Sequence, residues 1–308
     1  MATVWSMHSC FGPARAEGRA VQRFADRVAA DSGGELGLAV MPFGSSGVAD
    51  ADLLRAVSAG QPPIGTLYAE YFDRDAADLA LCYVQGVLAE PAQHWRIQPL
   101  IDDAYRRVLA RFEIAALGSL ARPVYDACLF AAAPVASLAD LAGRTVRVWS
   151  RHQVASFARL GIAARIVPQH AMAAALGDGT VDVALYMAEA AATATGLAAV
   201  APYASSLHPF SAVPNMIGAG RRSLAALPDR LAAVLVAAGR WIEAATLAEA
   251  SRATGAAQLG PGFIRASPLP DADRAQFRTA SLGAWDEMAA AAGPAALALR
   301  QGVREIVA

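Results

Sequence analysis

The sequence predicts an α/β protein made of two similar units that face each other across a cleft. Two observations support this prediction. The order strand, helix, strand, helix, strand occurs twice along the chain, which is typical of a parallel sheet covered by helices. Short stretches of the first pass also reappear in the second in the same order. At 308 residues, the chain is long enough for both units.

The first pass begins with an apolar strand, Ala2 to Met7. An amphipathic helix follows and stops at Gly33-Gly34, a common helix end. A buried strand covers Leu36 to Met41, and a short helix ends near Gly60. The apolar run from Ile64 to Tyr68 then predicts the third strand.

The second pass repeats this order. It starts with a strand from Thr145 to Ser150, followed by a helix that stops at Gly161. A strand from Ile162 to Val167, a helix from Met172 to Leu176 and a strand from Val181 to Tyr186 complete it. The segments Val4-Trp5-Ser6-Met7-His8 and Val148-Trp149-Ser150-Arg151-His152 are similar, which supports a repeated unit.

Further helices are predicted over residues 100–120, 223–254 and 271–306, the last interrupted at Gly293-Pro294. No low-complexity linker separates two independent domains, so we expect the chain to cross between its lobes more than once. The expected lobes are residues 1–121 plus 207–250 for lobe I, and residues 122–206 plus 251–308 for lobe II.

The composition excludes several classes of protein. Hydrophobic residues make up 56% of the chain and charged residues 17%, which excludes a disordered chain. With 26 basic and 27 acidic residues, the sequence lacks the charge typical of proteins that bind nucleic acid or anionic membranes. The sequence contains no lysine, which excludes Schiff-base chemistry. No uncharged apolar run approaches the ~20 residues of a membrane helix.

The three cysteines, Cys10, Cys82 and Cys128, have no CxxC spacing, so they predict neither a disulfide scaffold nor a zinc site. A single Cys10–Cys82 bridge stays open in an oxidising compartment. The start of the chain reads as a strand and not as a signal peptide. It indicates either a cytoplasmic protein or the mature part of a secreted one.

Enzyme motifs are absent: the sequence has no GxSxG, HExxH or phosphate-binding loop. Arg147, in contrast, lies within an apolar strand, on the same face as Trp149. A guanidinium there cannot stay unpaired in the interior. Either it pairs with a carboxylate of the protein, or it binds an anionic ligand as a planar two-pronged donor.

The segment around Arg147 resembles the central signature of the solute-binding subunits of tripartite ATP-independent periplasmic (TRAP) transporters. In that signature, a Ser-Leu-x-Asp-Leu-x-Gly segment leads into a strand that carries a ligand-binding arginine. Residues 3–250 match the family's landmarks in order, and the opening Trp5-Ser6-Met7 is similar to the branch that binds 2-oxo acids and related monocarboxylates. The matching residues are Phe24 to Val28, Ser32 to Leu36, Leu54 to Ser58, Gly60, Ser137-Leu138, Asp140-Leu141, Gly143, Arg147, Leu160-Gly161, Val167-Pro168, Ala175-Leu176, Gly179 and Val181-Asp182.

The resemblance implies a two-lobed periplasmic-binding-protein fold whose lobes each hold a mainly parallel sheet. It implies a periplasmic receptor, monomeric or homodimeric, that closes on a small organic acid and delivers it to membrane permease subunits without catalysis. Arg147 would hold the ligand carboxylate in a bidentate ion pair.

The sequence departs from the 2-oxo-acid branch at one position of the site. Leu185 stands where that branch has a glutamate that helps to hold a cation, and leucine offers no oxygen ligand. We therefore expect no metal and no cofactor. Tyr186 replaces the tryptophan that follows, and His208-Pro209-Phe210 stands near an expected Pro-Gly-Trp.

Other candidate ligand-binding residues follow from position, because open α/β sheets bind ligands at the C-terminal ends of their strands. Trp149 and Phe210 could equally be core aromatics, Arg151 a solvated arginine, and Asn215 a turn residue. The candidates besides Arg147 are Ser9, Tyr68, Glu70, Trp149, Arg151, Tyr186, Phe210 and Asn215.

A rival hypothesis is a cytoplasmic two-domain α/β enzyme that acts on a small carboxylate. In it, Arg147 would clamp the substrate and His8 or His152 would act as the base. The lack of a nucleophile–base motif argues against this hypothesis.

Overall fold

The computed structural model describes residues 2–13, 15–42, 45–72, 74–82, 85–209, 215–253 and 259–307. By its internal contacts the chain divides into two compact units, each assembled from three chain segments. Unit 1 comprises Met1–Tyr83, Gln98–Pro123 and Ala212–Arg252; unit 2 comprises Val84–Ile97, Val124–Ser211 and Ala253–Ala308. The lobe boundaries expected from the sequence stay a prediction.

Unit 1 contains a five-stranded mixed sheet. Three adjacent strands at one side of it are parallel, with β1 between β2 and β3, while β10 inserts antiparallel between β3 and β4. The sheet is therefore completed by a strand from late in the chain. In chain order its strands are β1 (Thr3–Ser9), β2 (Leu36–Pro42), β3 (Ile64–Tyr68), β4 (Ile114–Leu120) and β10 (Asn215–Gly220).

Five helices accompany this sheet: α1 (Ala16–Asp31), α2 (Leu53–Ser58), α3 (Pro91–Arg111), α7 (Arg221–Ala225) and α8 (Asp229–Ala253). Most of each belongs to unit 1, although α3 begins in a unit 2 segment. The amphipathic α1 buries Val21, Phe24 and Val28, as its spacing predicts, and Gly33 and Gly34 follow it with positive φ angles. These side chains join the apolar face of α8 in one hydrophobic core.

The backbones of α8 and β4 lie in direct contact. A Cβ atom on Gly118 would lie 2.2 Å from the carbonyl oxygen of Gly239, and one on Gly239 would lie 2.3 Å from that of Leu117. Only glycine at both positions allows this approach. In the described part of the chain, α8 is also the one helix long and apolar enough to cross a membrane. Because its apolar stripe lies in the core, we interpret α8 as a core helix of unit 1.

Unit 2 contains a six-stranded mixed sheet in the order β11-β9-β5-β8-β6-β7. The strands β6, β7 and β8 are mutually parallel where they pair, and β5 runs antiparallel to both β8 and β9. The strands are β5 (Asp126–Ala131), β6 (Thr145–Val148), β7 (Ala163–Ile166), β8 (Val183–Met187), β9 (Tyr203–Pro209) and β11 (Ile264–Arg265). The helices are α4 (Arg151–Ala158), α5 (Met172–Gly177), α6 (Leu197–Val200), α9 (Asp271–Ala292) and α10 (Pro294–Val307).

The predicted α/β class and the two repeated parallel trios are confirmed, as is the break between the last two helices. The helix predicted over residues 100–120 is wrong in its second half. There α3 ends at Arg111, Glu113 adopts a left-handed φ of 54°, and the chain continues as β4. The helix predicted over 223–254 is divided into α7 and α8, with Pro228 between them. The strands β4, β5, β9, β10 and β11 have no counterpart in the sequence prediction.

Candidate functional site

Arg147 lies in β6 of unit 2 and is 2% exposed. Its Nε donates a hydrogen bond to the carbonyl oxygen of Val167, at 2.8 Å, and its Nη1 donates one to that of Leu185, at 3.1 Å. Val167 follows β7 and Leu185 lies in β8, so the two strands that flank β6 in the sheet both orient the guanidinium.

Two aromatic rings lie beside this guanidinium. Its central carbon is 5.5 Å from the ring centroid of Trp149 and 6.0 Å from that of Tyr186, both within cation–π range. Tyr186 is itself 2% exposed. Water therefore screens the positive charge weakly, and an anion placed against it would be strongly attracted. The structure thus brings Arg147, Trp149 and Tyr186 together.

Arg151 is the first residue of α4 and is exposed. The helix is capped by Ser150, whose hydroxyl accepts a hydrogen bond from the backbone of Gln153 at 3.3 Å. The Gln153 side chain in turn accepts one from the backbone of Trp149 at 3.0 Å. This capping fixes the backbone that joins β6 to α4.

Leu185, at the position where the resemblance to the 2-oxo-acid branch predicts a glutamate, is fully buried in the hydrophobic core of unit 2. Its contribution to the site is its backbone carbonyl oxygen, which accepts the bond from Arg147. A side-chain ligand for a cation is not provided at this position.

In unit 1, Tyr68 and Asn215 are register partners on the antiparallel strands β3 and β10. Asn215 is 0% exposed, and neither its Oδ1 nor its Nδ2 has a hydrogen-bond partner among the described residues. An unpaired buried amide costs about 1–3 kcal/mol, so it is typical of a site that awaits a ligand. Tyr68 packs edge-on against Phe11 and Tyr71.

Ser9 is the last residue of β1. Its hydroxyl donates a hydrogen bond to the carbonyl oxygen of Phe11, at 2.9 Å, and so closes a local turn. Glu70 lies in a short 3₁₀ turn directly after β3. Phe210 lies outside the described residues.

A second buried arginine, Arg122, lies just after β4 in unit 1 and was not predicted as a site residue. It is 5% exposed, and its Nη1 lies 3.3 Å from Oε1 of Glu17, which is 4% exposed. Arg15 lies 3.4 Å from the same oxygen. Burial alone would raise the pKa of Glu17, but the charges of Arg122 and Arg15 outweigh it and hold the pKa below its usual value. An arginine at the end of the apolar run 114–121 was the available signal.

Two buried histidines of unit 2, His152 and His208, are held by backbone carbonyl oxygens. His152 Nε2 donates to the carbonyl oxygen of Ser281 at 3.0 Å, and burial lowers the pKa of His152. His208 Nδ1 donates to that of Pro209 at 2.8 Å, and burial lowers the pKa of His208 to about 4. Its ring stacks on Phe277. Both rings are therefore fixed by backbone carbonyl oxygens.

Unit 2 also contains a cavity of about 300 Å³ beside β9 and α9. None of the predicted site residues lines it. Its walls are formed by Leu88, Ala89, Leu207, His208, Pro209, Asp271, Arg274, Ala275 and Arg278.

Comparison with known proteins gives one matching family model: DctP, described as bacterial extracellular solute-binding protein, family 7, which matches residues 8–292. No curated protein matches the chain.

Many solved structures are similar. DctP7 of Bordetella pertussis, an extracytoplasmic solute receptor that binds pyroglutamic acid, has a TM-score of 0.83 and 19% identity over 98% of this chain and 100% of its own. DctP6 of the same organism, which also binds pyroglutamic acid, has a TM-score of 0.84 and 17% identity over 98% and 100%. A TRAP periplasmic solute-binding protein of Roseobacter denitrificans with bound β-D-glucuronate has a TM-score of 0.76 and 20% identity over 99% of each chain.

These likenesses confirm the predicted two-lobed periplasmic-binding-protein fold. The family match covers most of the chain and replaces the enzyme hypothesis with a receptor located outside the cytoplasm. The protein therefore belongs to the DctP family of bacterial extracellular solute-binding proteins, the solute receptors of TRAP transporters.

Proposed function

We propose that this protein binds a small carboxylate through Arg147, whose guanidinium forms a bidentate ion pair with the ligand. As in other TRAP receptors, the ligand would then pass to membrane permease subunits. The observation behind the proposal is a buried guanidinium whose direction is fixed by the carbonyl oxygens of Val167 and Leu185. A pre-oriented planar donor loses little entropy when it pairs with a carboxylate.

The position of Arg147 supports the same proposal. It lies at the end of a parallel trio of strands, where open α/β sheets commonly bind ligands. The rings of Trp149 and Tyr186 would exclude water from the ion pair and strengthen it. Arg151, exposed at the start of α4, is proposed as a second partner for the ligand.

We further propose that Asn215 and Tyr68 of unit 1 take part in ligand binding. The Asn215 amide can donate and accept at once, so it suits a ligand that carries both a carbonyl or ring oxygen and an N–H or O–H group. Ser9, Glu70 and Phe210 complete the proposed set of ligand-binding residues.

The relatives suggest the chemical class of the ligand. Pyroglutamate and glucuronate share one carboxylate on a small ring that bears further polar groups. We therefore propose a cyclic monocarboxylate, whose carboxylate suits the guanidinium of Arg147. The finer assignment to the 2-oxo-acid branch stays a prediction.

Mass spectrometry of small molecules that co-purify with the protein, followed by calorimetric titration with pyroglutamate, pyruvate and glucuronate, tests the proposal. Saturable binding of at least one carboxylate is expected, with no binding of the matching amide or methyl ester. Equal binding of the acid and its neutral ester would contradict a carboxylate site.

A further inference from the structure

A histidine, a cysteine and an aspartate converge in unit 1 just beyond the end of β1. His8 lies in β1, Cys10 directly follows the strand, and Asp50 begins a 3₁₀ turn after β2. One ligand atom from each of the three residues lies within 4.8 Å of the other two. The spacing His8-x-Cys10 places both side chains on one side of an extended chain.

Two of the three side chains in the cluster are buried. His8 is 0% exposed and Cys10 is 9% exposed, whereas the Asp50 side chain is 34% exposed. The imidazole and the thiol are therefore enclosed, and the carboxylate opens towards solvent.

Contacts with Ser46 and Asp50 fix the orientation of the imidazole. His8 Nδ1 lies 2.6 Å from Ser46 Oγ, and His8 Nε2 lies 2.8 Å from Asp50 Oδ1. When Nδ1 donates to the serine, the lone pair of Nε2 points towards the carboxylate oxygen. Two lone pairs that face each other need a proton or a cation between them.

The cysteine is placed as a metal ligand and not as a nucleophile. Both nitrogens of His8 already face Ser46 and Asp50, and the Cys10 thiol donates to the carbonyl oxygen of Thr66, at 3.3 Å. The thiol therefore has no imidazole base. The Cys10 backbone N–H is fixed by Thr66 Oγ1 at 3.0 Å, which holds the side chain beside the other two.

We propose that His8 Nε2, Cys10 Sγ and Asp50 bind a Zn²⁺ ion, with a water as the fourth ligand. Imidazole, thiolate and carboxylate are all zinc ligands, with bonds of about 2.0–2.3 Å in a tetrahedral arrangement. On binding, the Cys10 thiol releases its proton to solvent, so one thiolate and one carboxylate balance the two charges of the ion. The site goes beyond the proposed carboxylate receptor function and does not depend on it.

The spacing rules used on the sequence do not detect this site, because they search for paired cysteines. The ligands come from two segments that are 40 residues apart, and only the pairing of β1 with β2 brings them together.

Cobalt(II) substitution tests the proposal directly, because a cobalt–thiolate bond produces a charge-transfer absorption band in the near ultraviolet. Chelator-stripped, untagged protein is titrated with Co²⁺, and Zn²⁺ affinity is then measured by competition with a chromophoric chelator. The variants are Cys10→Ser, Asp50→Asn and, as a matched control, Cys82→Ser, another buried cysteine of the same unit.

The wild type and Cys82→Ser should show the band and bind one Zn²⁺ per chain. Cys10→Ser should lose the band, and Asp50→Asn should bind Zn²⁺ at least about tenfold more weakly. Asp50 is partly exposed, so this variant remains informative if Cys10→Ser fails to fold. A wild type without the band, or a band that persists in folded Cys10→Ser, would overturn the proposal.

Discussion

The guanidinium of Arg147 donates a hydrogen bond to the backbone carbonyl oxygen of Leu185, the residue that stands where a relative's cation-binding glutamate is expected. One position thus contributes to the site through its backbone while its side chain lies in the core. The backbone carbonyl group of Leu185 thus orients the side chain of Arg147.

Replacement of Arg147 by alanine should weaken binding of the carboxylate by roughly 30- to several-thousandfold, which corresponds to about 2–5 kcal/mol. Lysine should not restore binding, because an ammonium cannot reproduce the planar fork. Calorimetry with the acid found to bind wild type measures the change. Arg165→Ala is the control, since Arg165 is the exposed register partner of Arg147 on β7.

Thermal melts of the ligand-free Arg147→Ala variant show whether it is folded at the temperature of the titration. A fall in melting temperature is expected, because the carbonyl oxygens of Val167 and Leu185 lose the donor that they have in the wild type. A folded variant that binds the acid normally is incompatible with the proposed ion pair.

Replacement of Asn215 by leucine should stabilise the ligand-free protein by roughly 1 kcal/mol, because it removes a buried amide that has no partner among the described residues. The same change should reduce ligand affinity at least tenfold. Chemical denaturation and calorimetry measure the two effects.

Thr246→Val provides the contrast for Asn215. The Thr246 hydroxyl is buried, accepts from the backbone of Ala121 and donates to that of Ile242. Its loss should destabilise the protein and leave ligand affinity unchanged. A destabilised Asn215→Leu with wild-type affinity would show that the amide is structural.

His208 should make stability fall as the pH drops from about 6.5 to 4, whereas Asp102, whose pKa burial raises to about 6, acts in the opposite direction over the same window. Burial lowers the pKa of His208 to about 4 in the folded state, and the charge of Arg274 and the nearby His152 act in the same direction. The unfolded chain binds a proton near pH 6.5, so acidification favours unfolding across this window, by roughly 3 kcal/mol for His208 alone.

Denaturation at a series of pH values checks this dependence. His208→Asn, whose amide can donate in place of Nδ1, should remove the contribution of His208 between pH 6.5 and 4. His170→Asn, on an exposed residue, should leave it unchanged. Parallel curves for wild type and His208→Asn would exclude His208 as the cause.

Carboxylate affinity should not depend on sodium or calcium, because Leu185 provides no side-chain oxygen. Titration after chelation of calcium, and in sodium-free buffer of equal ionic strength, should change the affinity less than twofold. A larger loss specific to one cation would show that another residue supplies the oxygen ligand.

The sequence predicted the parallel strands because each is a short apolar run bounded by turn residues. It did not predict β4, because Ile114-Ala115-Ala116-Leu117 is equally compatible with a helix. The positive φ angle of Glu113 lies between the end of α3 and the start of β4, and no residue pattern in the sequence indicates this angle.

Among the candidate site residues, the sequence located Arg147 because a charge within an apolar strand is conspicuous. The pairing of Asn215 with Tyr68 could not be predicted, since it depends on an antiparallel register between residues 147 positions apart. Arg122 has a signal in the sequence, since it follows an apolar run, but its pairing with Glu17 could not be predicted because the two residues are remote in sequence.

The position of β10 in the sheet of unit 1 affects how the chain folds while it is being synthesised on the ribosome. This strand lies between β3 and β4, yet it is made about 95 residues after β4 and after nearly the whole sheet of unit 2. A nascent chain that ends before Asn215 therefore carries β3 and β4 with unpaired inner edges, which are exposed to chaperones and to aggregation. Ribosome-bound fragments should acquire protease resistance in unit 1 only once α8 has emerged.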